Sequence, residues 1–298
     1  MKLEDIKNVT VIGGGTMGSQ IAELLSSVGG YDVMLWSRRD ETVKRGLGAI
    51  EQRMKKFFVD KDKMSQAQMD EIVGRIKGTT NISDAVKNAD CVIESVAENL
   101  AIKKEVYQKL DESAPVESIL ASNTSQMNIT EIASTTNRPD KVLGIHFFNP
   151  VGVMKLVEIV RGTLTSDETM EVSCALIQKL GKEYVVCKDF SYGFIGNRVY
   201  RALRMEAIQM VWERVASPED IDKTMKMGFN FPMGPLELGD FSGAWGTYAV
   251  SEADALREMG PEKGHLHPLI RMMVRAGYTG GRQGKGIYAF WEDMMSKW

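Results

Sequence analysis

A strand that runs straight into a glycine-rich turn and then into a helix constrains this chain more than any other feature. Val9-Thr10-Val11-Ile12 reads as a buried strand, and Gly13-Gly14-Gly15-Thr16-Met17-Gly18 comes at once after it, placing the spacing G-x-G-x-x-G where strand meets helix. Each glycine answers a different demand. Gly13 permits the tight turn, Gly15 lets backbone approach a pyrophosphate, and Gly18 lets the helix pack on the strand. The first amides of the helix, at Thr16, Met17 and Gly18, then face the phosphates with the positive end of its dipole behind them. The prediction is a dinucleotide site contacted by Gly13, Gly15, Thr16, Met17 and Gly18.

The next hundred and seventy residues keep the same alternation of strand and helix. Short β-branched runs at Asn8–Ile12, Asp32–Trp36, Cys91–Val96, Ser118–Ser122, Val142–Phe147, Lys155–Val160 and Tyr184–Cys187 are expected strands. Helical patterns over Thr16–Val28, Glu41–Phe58, Leu100–Leu110 and Asp167–Leu180 lie between them. The expected fold is α/β: a Rossmann-type, mostly parallel sheet over residues 1–190, then an all-helical substrate and dimerisation domain over residues 191–298. Ile195–Val215 opens the second domain as one long helix. Ile195, Val199, Ala202, Leu203 and Met210 fall on one face of it, and Met205, Ile208, Val211 and Trp212 on the other. Such a helix is either central to its own domain or buried against a second subunit.

Composition removes several classes of function. Lys and Arg total 37 against 40 Asp and Glu, with no basic block, so a nucleic-acid partner is not expected. No apolar stretch is long enough for a bilayer and no cleavable apolar segment opens the chain, which reads as cytoplasmic with no membrane partner. Cys91, Cys174 and Cys187 are scattered, without the paired spacing of a zinc site, so buried thiols and no metal are expected. The 19 methionines are read as soft filling for the core.

NAD-preferring sites place a carboxylate at the end of the second strand, where it meets the ribose. Here that position is Ser37, with Arg38 and Arg39 after it. A hydroxyl and two guanidinium groups suit a 2′-phosphate, so NADP is expected in preference to NAD. The alternatives are that both arginines are solvated, or that Asp40 does the work of the missing carboxylate.

Alcohol oxidation needs a base near neutral pH, and the chain offers three histidines. His265 and His267 sit in a proline-flanked segment read as a solvated loop. His146 instead ends a strand on the rim where parallel-sheet ligands bind. Glu158 is a lone carboxylate in the apolar run Leu156–Val160, and once buried it needs a partner. A Glu158–His146 bond would fix the imidazole tautomer for catalysis; a purely structural ion pair is the other reading.

From here the chain resembles the 3-hydroxyacyl-CoA dehydrogenases in motif after motif: Ala121-Ser122-Asn123-Thr124-Ser125, His146-Phe147-Phe148-Asn149-Pro150-Val151, Met154-Lys155-Leu156-Val157-Glu158, Gly193-Phe194-Ile195 with Asn197-Arg198, Pro232-Met233-Gly234-Pro235, and Gly284-Lys285-Gly286-Ile287-Tyr288. The similarity spans essentially the whole chain. It implies interconversion of a 3-hydroxyacyl-CoA, short-chain such as 3-hydroxybutyryl-CoA, and its 3-oxoacyl-CoA. His146 would be general base or acid, oriented by Glu158, with Ser125 and Asn197 positioning the substrate oxygen and the nicotinamide. The same likeness assigns Glu98, Lys103 and Asn123 to the cofactor site, beside the Ser37 and Arg38 already read there from their chemistry, and implies a homodimer. Likeness and charge together suggest Lys55 or Lys56 for the CoA phosphates, unless they are simply solvated.

The chain departs from the family pattern at three places. Ser37 replaces the usual acidic residue, Ser191-Tyr192-Gly193-Phe194 replaces Pro-Gly-Phe with one residue added near Asn197, and Trp245 stands where a small or acidic residue is usual. Trp245 is either a core residue or the mark of an unusual acyl group, cyclic or short. Two rivals remain: a β-hydroxyacid dehydrogenase, disfavoured because Asn197-Arg198 offers no lysine, and a non-catalytic dinucleotide binder.

Overall fold

The computed structural model describes residues 1–189, 192–281 and 284–296. The chain divides into two units, Met1–Phe190 and Ser191–Trp298. The first is built on an eight-stranded sheet in the order β3-β2-β1-β4-β5-β6-β7-β8. Its strands are β1 (Asn8–Ile12), β2 (Asp32–Trp36), β3 (Ile76–Thr79), β4 (Cys91–Glu94), β5 (Ile119–Ser122), β6 (Val142–Phe147), β7 (Leu156–Arg161) and β8 (Glu183–Lys188). The first six run parallel, β7 returns antiparallel to β6, and β8 is parallel to β7.

Helices α1 (Thr16–Ser27), α2 (Asp40–Phe57), α3 (Gln66–Gly74), α4 (Ile82–Val86), α5 (Leu100–Ser113), α6 (Ile129–Ala133) and α7 (Asp167–Lys179) connect these strands. Helices on both faces explain why β4, β5 and β6 are buried at every position and read as near-continuous apolar runs. Val11, Ile21, Leu25, Ile93, Leu143 and Ile159 are fully enclosed in the resulting core.

Strand β3 and helices α3, α4 and α6 lie outside the elements expected from sequence. β3 is four residues long with Lys77-Gly78 at its centre, too polar and too short for a periodicity to show. Gly78 is required there, because a Cβ would collide with the side chain of Val43 on α2. α4 and α6 have five residues each, scarcely more than one turn.

The second unit contains α8 (Gly196–Trp212), α9 (Pro218–Gly228), α10 (Pro235–Ser242), α11 (Ala244–Val250), α12 (Glu252–Gly264), α13 (Pro268–Arg275) and α14 (Ile287–Phe290). Its core gathers Ala207, Ile208, Val211, Leu236, Trp245, Ile270, Met273 and Phe290. Within the single chain, α8 is buried along one side. Ala207, Ile208 and Val211 are buried within this chain, whereas Val199 on one expected apolar face is 66% exposed and Trp212 on the other is 41% exposed. No helix among the described residues is long and apolar enough to cross a membrane.

Candidate active site

The turn after β1 has the geometry its sequence demands. Gly13 adopts φ 124° and donates its N–H to the Trp36 carbonyl at 2.8 Å; a Cβ there would strike the backbone of Ser95. A Cβ on Gly18 would strike the Gly13 carbonyl, so helix and turn touch backbone to backbone. Gly15 is the opposite case, exposed and with no atom within 4 Å of where its Cβ would be. It caps α1 without any side-chain hydrogen bond, so the first amides of the helix keep their donors for a ligand. Open space above uncapped amides fits a pyrophosphate.

β1 and β4 are adjacent and parallel, and beyond β4 the sheet continues to β5 and β6, so the order reverses beside this turn. At the carboxyl ends of β4, β5 and β6 lies a network of buried polar groups. Glu94, fully buried, accepts from Lys103 Nζ at 2.8 Å, from the Val96 N–H at 2.7 Å and from Ser122 Oγ at 2.7 Å. The Lys103 ammonium also meets Glu98 at 3.2 Å. Glu98 in turn accepts from Thr124 Oγ1 at 2.6 Å, the Ser125 N–H at 2.9 Å and Ser125 Oγ at 3.2 Å.

Burial alone would raise the Glu98 pKa, but the Lys103 charge and the Thr124 and Ser125 bonds hold it below the ordinary carboxylate value. Burial likewise pulls Lys103 down, and the two carboxylates more than reverse it. Lys103 therefore lies beneath the rim, 1% exposed, with its charge held by Glu94 and Glu98. Asn123 donates to Ser95 Oγ at 3.2 Å and accepts from the Phe147 N–H at 2.9 Å, tying the ends of three strands together.

One residue before the end of β6, His146 stands opposite Glu158 in the antiparallel register with β7. Its Nδ1 is 2.7 Å from Glu158 Oε2, both residues are buried, and the Phe148 ring tilts against the imidazole at 4.7 Å. The bond to a carboxylate favours the tautomer with the proton on Nδ1 and directs Nε2 to proton exchange. The loop between β6 and β7 is held from two sides. Gln20 of α1 accepts from the Val151 N–H at 2.9 Å, and Lys182 donates to the carbonyls of Val151 and Met154 at 2.6 and 2.8 Å. Burial lowers the Lys182 pKa.

The remaining sequence-predicted residues lie elsewhere. Ser37 is half-buried at the end of β2, next to the exposed Arg39 and the intervening Arg38, and Asp40 begins α2 paired with Lys44 at 2.7 Å. Lys55 and Lys56 are exposed at the end of α2, with the Lys56 ammonium 5.4 Å from the Phe57 ring centre. Asn197 belongs to the helical unit, on the first turn of α8. Of the departing segment 191–194, Ser191 lies outside the described residues. Trp245 is fully buried and donates Nε1 to Asp240 at 2.6 Å.

His267 requires a correction: it is not in a solvated loop. It caps α13, accepting from the Leu269 N–H at 3.1 Å, with Nε2 2.8 Å from Gln209 Oε1. Burial lowers its pKa, which suits a neutral ring acting as both acceptor and donor.

Sequence reasoning missed Glu94, Lys182 and Gln20. Glu94 carried the signal that revealed Glu158, a single carboxylate closing an apolar run, Cys91-Val92-Ile93. Lys182 and Gln20 carried none, because their partners are backbone atoms distant in sequence.

Comparison with known proteins agrees with this geometry. Residues 8–190 match the profile of the 3-hydroxyacyl-CoA dehydrogenase NAD binding domain, and residues 193–290 that of the 3-hydroxyacyl-CoA dehydrogenase C-terminal domain. A probable 3-hydroxybutyryl-CoA dehydrogenase of Bacillus subtilis is 42% identical over 97% of this chain and 99% of its own. The human mitochondrial hydroxyacyl-coenzyme A dehydrogenase is 38% identical over 96% of this chain and 91% of its own. Among solved structures, (S)-3-hydroxybutyryl-CoA dehydrogenase from Ralstonia eutropha superposes with a TM-score of 0.87 at 37% identity, covering 95% of this chain and 98% of that one. With both of its units matched in order, the chain belongs to the 3-hydroxyacyl-CoA dehydrogenase family.

Proposed function

We propose that this protein interconverts a 3-hydroxyacyl-CoA with a short acyl group, such as 3-hydroxybutyryl-CoA, and the matching 3-oxoacyl-CoA. The observation that carries the proposal is the His146–Glu158 pair, set by strand register at the same carboxyl edge of the sheet as the glycine turn. In the oxidative direction His146 takes the proton of the 3-hydroxyl at Nε2, and Glu158, buried and bonded to Nδ1, stabilises the imidazolium that results. In the reductive direction the same nitrogen returns the proton to the oxyanion. Ser125 positions the substrate oxygen, and Asn197 is assigned with it by family likeness. A nicotinamide dinucleotide held by Gly13, Gly15, Thr16, Met17 and Gly18 accepts or supplies the hydride. Glu98, itself held by Lys103, holds Ser125 and Thr124 beside it, and Asn123 completes that edge.

NADP is the expected cofactor. Ser37 places no carboxylate at the end of β2, neither Arg38 nor Arg39 forms an ion pair among the described residues, and the Asp40 carboxylate is taken by Lys44. A 2′-phosphate gives the two arginines a partner. CoA phosphates would meet the exposed Lys55 and Lys56. A homodimer is supported by the exposed apolar residues at the start of α8, Val199 at 66% and the N-cap Ile195 at 44%. Three unpaired thiols suit a reducing, cytoplasmic setting.

The test is reduction of acetoacetyl-CoA, monitored by loss of reduced-nicotinamide absorbance with NADPH and NADH in parallel. Turnover is expected, faster with NADPH. Absence of turnover with measurable cofactor binding would favour the non-catalytic reading, and faster turnover with NADH would overturn the reading of Ser37, Arg38 and Arg39.

A further inference from the structure

A buried charge in the helical unit has no counter-ion among the described residues. Arg204, on α8, is 6% exposed, and its guanidinium lies among three aromatic rings: Tyr200 at 4.3 Å, Tyr248 at 5.2 Å and Trp245 at 5.8 Å from their centres. It donates a hydrogen bond to Tyr248 Oη at 2.8 Å, while Nε has no acceptor and no carboxylate pairs with the group among the described residues. The buried acids of the same unit are engaged elsewhere. Asp222 accepts from the Leu236 and Glu237 N–H groups and from Tyr288, and Asp240 from Trp245 Nε1 and the Ile287 N–H. Arg201 adds a second positive charge, 4.8 Å from the Tyr248 ring centre, and donates to the Lys263 carbonyl at 3.4 Å.

Aromatic faces soften the cost of burying a guanidinium but do not cancel its charge. A buried cation that keeps one donor, Nε, unsatisfied and has no acid beside it among the described residues calls for an anion, and a guanidinium matches a carboxylate best. Its position indicates which carboxylate. Asn197, Tyr200, Arg201 and Arg204 are spaced i, i+3, i+4 and i+7, one stripe of α8, so Arg204 lies two turns, about 10 Å of helix rise, from Asn197 along the same face.

We propose that Arg204, framed by Tyr200, Trp245 and Tyr248, binds a carboxylate at the far end of the acyl group. The preferred substrate would then be a CoA monothioester of a 3-hydroxy dicarboxylic acid. This rests on the assignment of the protein as a 3-hydroxyacyl-CoA dehydrogenase with Asn197 at the substrate oxygen, and it narrows the substrate class of that site. At roughly 1.2 Å per bond of extended chain, and with the length of the arginine itself to span part of the gap, acyl groups of about six to eight carbons reach. Trp245, where the family pattern has a small or acidic residue, supplies a ring to the cradle in place of a charge.

The experiment compares thioesters matched in length: 3-oxoadipyl-CoA against 3-oxohexanoyl-CoA and 3-oxopimelyl-CoA against 3-oxoheptanoyl-CoA, with acetoacetyl-CoA as reference. For at least one pair kcat/KM is expected to favour the carboxylated chain by about tenfold to a hundredfold, the range for a charge-assisted hydrogen bond. Arg204→Gln should bring that ratio near one, and Arg204→Lys should restore part of it. Because each ratio is taken within one protein, partial loss of folded enzyme does not alter it. Wild-type enzyme that turns over acetoacetyl-CoA but favours the uncarboxylated member of both pairs overturns the proposal while leaving the reaction assignment standing. An Arg204→Gln enzyme that keeps the wild-type ratio but sediments as a smaller species overturns it too, in favour of a counter-ion from a second copy. No turnover of any thioester removes the reaction assignment and this proposal together.

Discussion

The charged groups around the strand ends of the sheet unit and the Arg204 guanidinium of the helical unit treat burial in contrasting ways. In the sheet unit Lys103 lies between Glu94 and Glu98, Arg138 is 2.8 Å from Asp111, and His146 is bonded to Glu158, so each of these buried groups meets an acid of its own. In the helical unit Arg204 is enclosed by rings. Parallel strands end at one edge, and fixed register brings chosen side chains face to face there, so charges can be paired within the unit and kept rigid. A helical unit built around α8 offers a stripe, and a stripe recognises a ligand that completes it. On the proposed reading, chemistry falls to the sheet and selection among acyl groups to the helices.

Breaking the paired side should cost the most. Lys103→Met leaves Glu94 and Glu98 buried together without their cation, and a loss of about 3–5 kcal/mol of unfolding free energy is expected from urea denaturation at neutral pH. The dependence on pH has a definite sign. Glu98 is held below its ordinary value, so its contribution is present above that value and is lost as pH falls through the lowered one. Without Lys103, burial dominates and protonation becomes favourable, so the deficit should shrink toward about pH 4. A deficit that is unchanged there would mean the network is not ionised as described.

Next in size is Glu158→Gln. Retained packing with a neutral partner should lower kcat by about a hundredfold and change the pH–rate profile, with KM little affected. An unchanged profile would leave the pair a structural one. Smaller again is the cofactor exchange: Ser37→Asp with Arg38→Ala should move the NADPH to NADH ratio of kcat/KM by about tenfold toward NADH, about 1.4 kcal/mol. An unmoved ratio would return Arg38 and Arg39 to solvent.

Much of the paired side was legible in the sequence because its signals are local or periodic. The glycine turn is contiguous, and Glu158 stood out as one carboxylate among Leu156, Val157, Ile159 and Val160. Its contact with His146 is expected once the two strands are known to be antiparallel. β3 was hidden by Lys77-Gly78, and Gly78 is there for the close passage of Val43, a contact no window of sequence contains. Arg204 was hidden for a related reason. On a helical projection it counts as an ordinary polar interruption, and only the distant Trp245 and Tyr248 reveal that it faces inward. The exposure of Trp212 was missed because periodicity reports which residues share a face, while the neighbours decide how far along the helix that face is covered.

The central claim is that His146 moves the proton of the substrate hydroxyl. It is tested most directly by His146→Ala, measured twice, once for turnover of acetoacetyl-CoA and once for cofactor binding by fluorescence. The expected result is a fall in kcat of about 10²–10⁴-fold with cofactor affinity nearly unchanged. Turnover at the wild-type rate would contradict the claim.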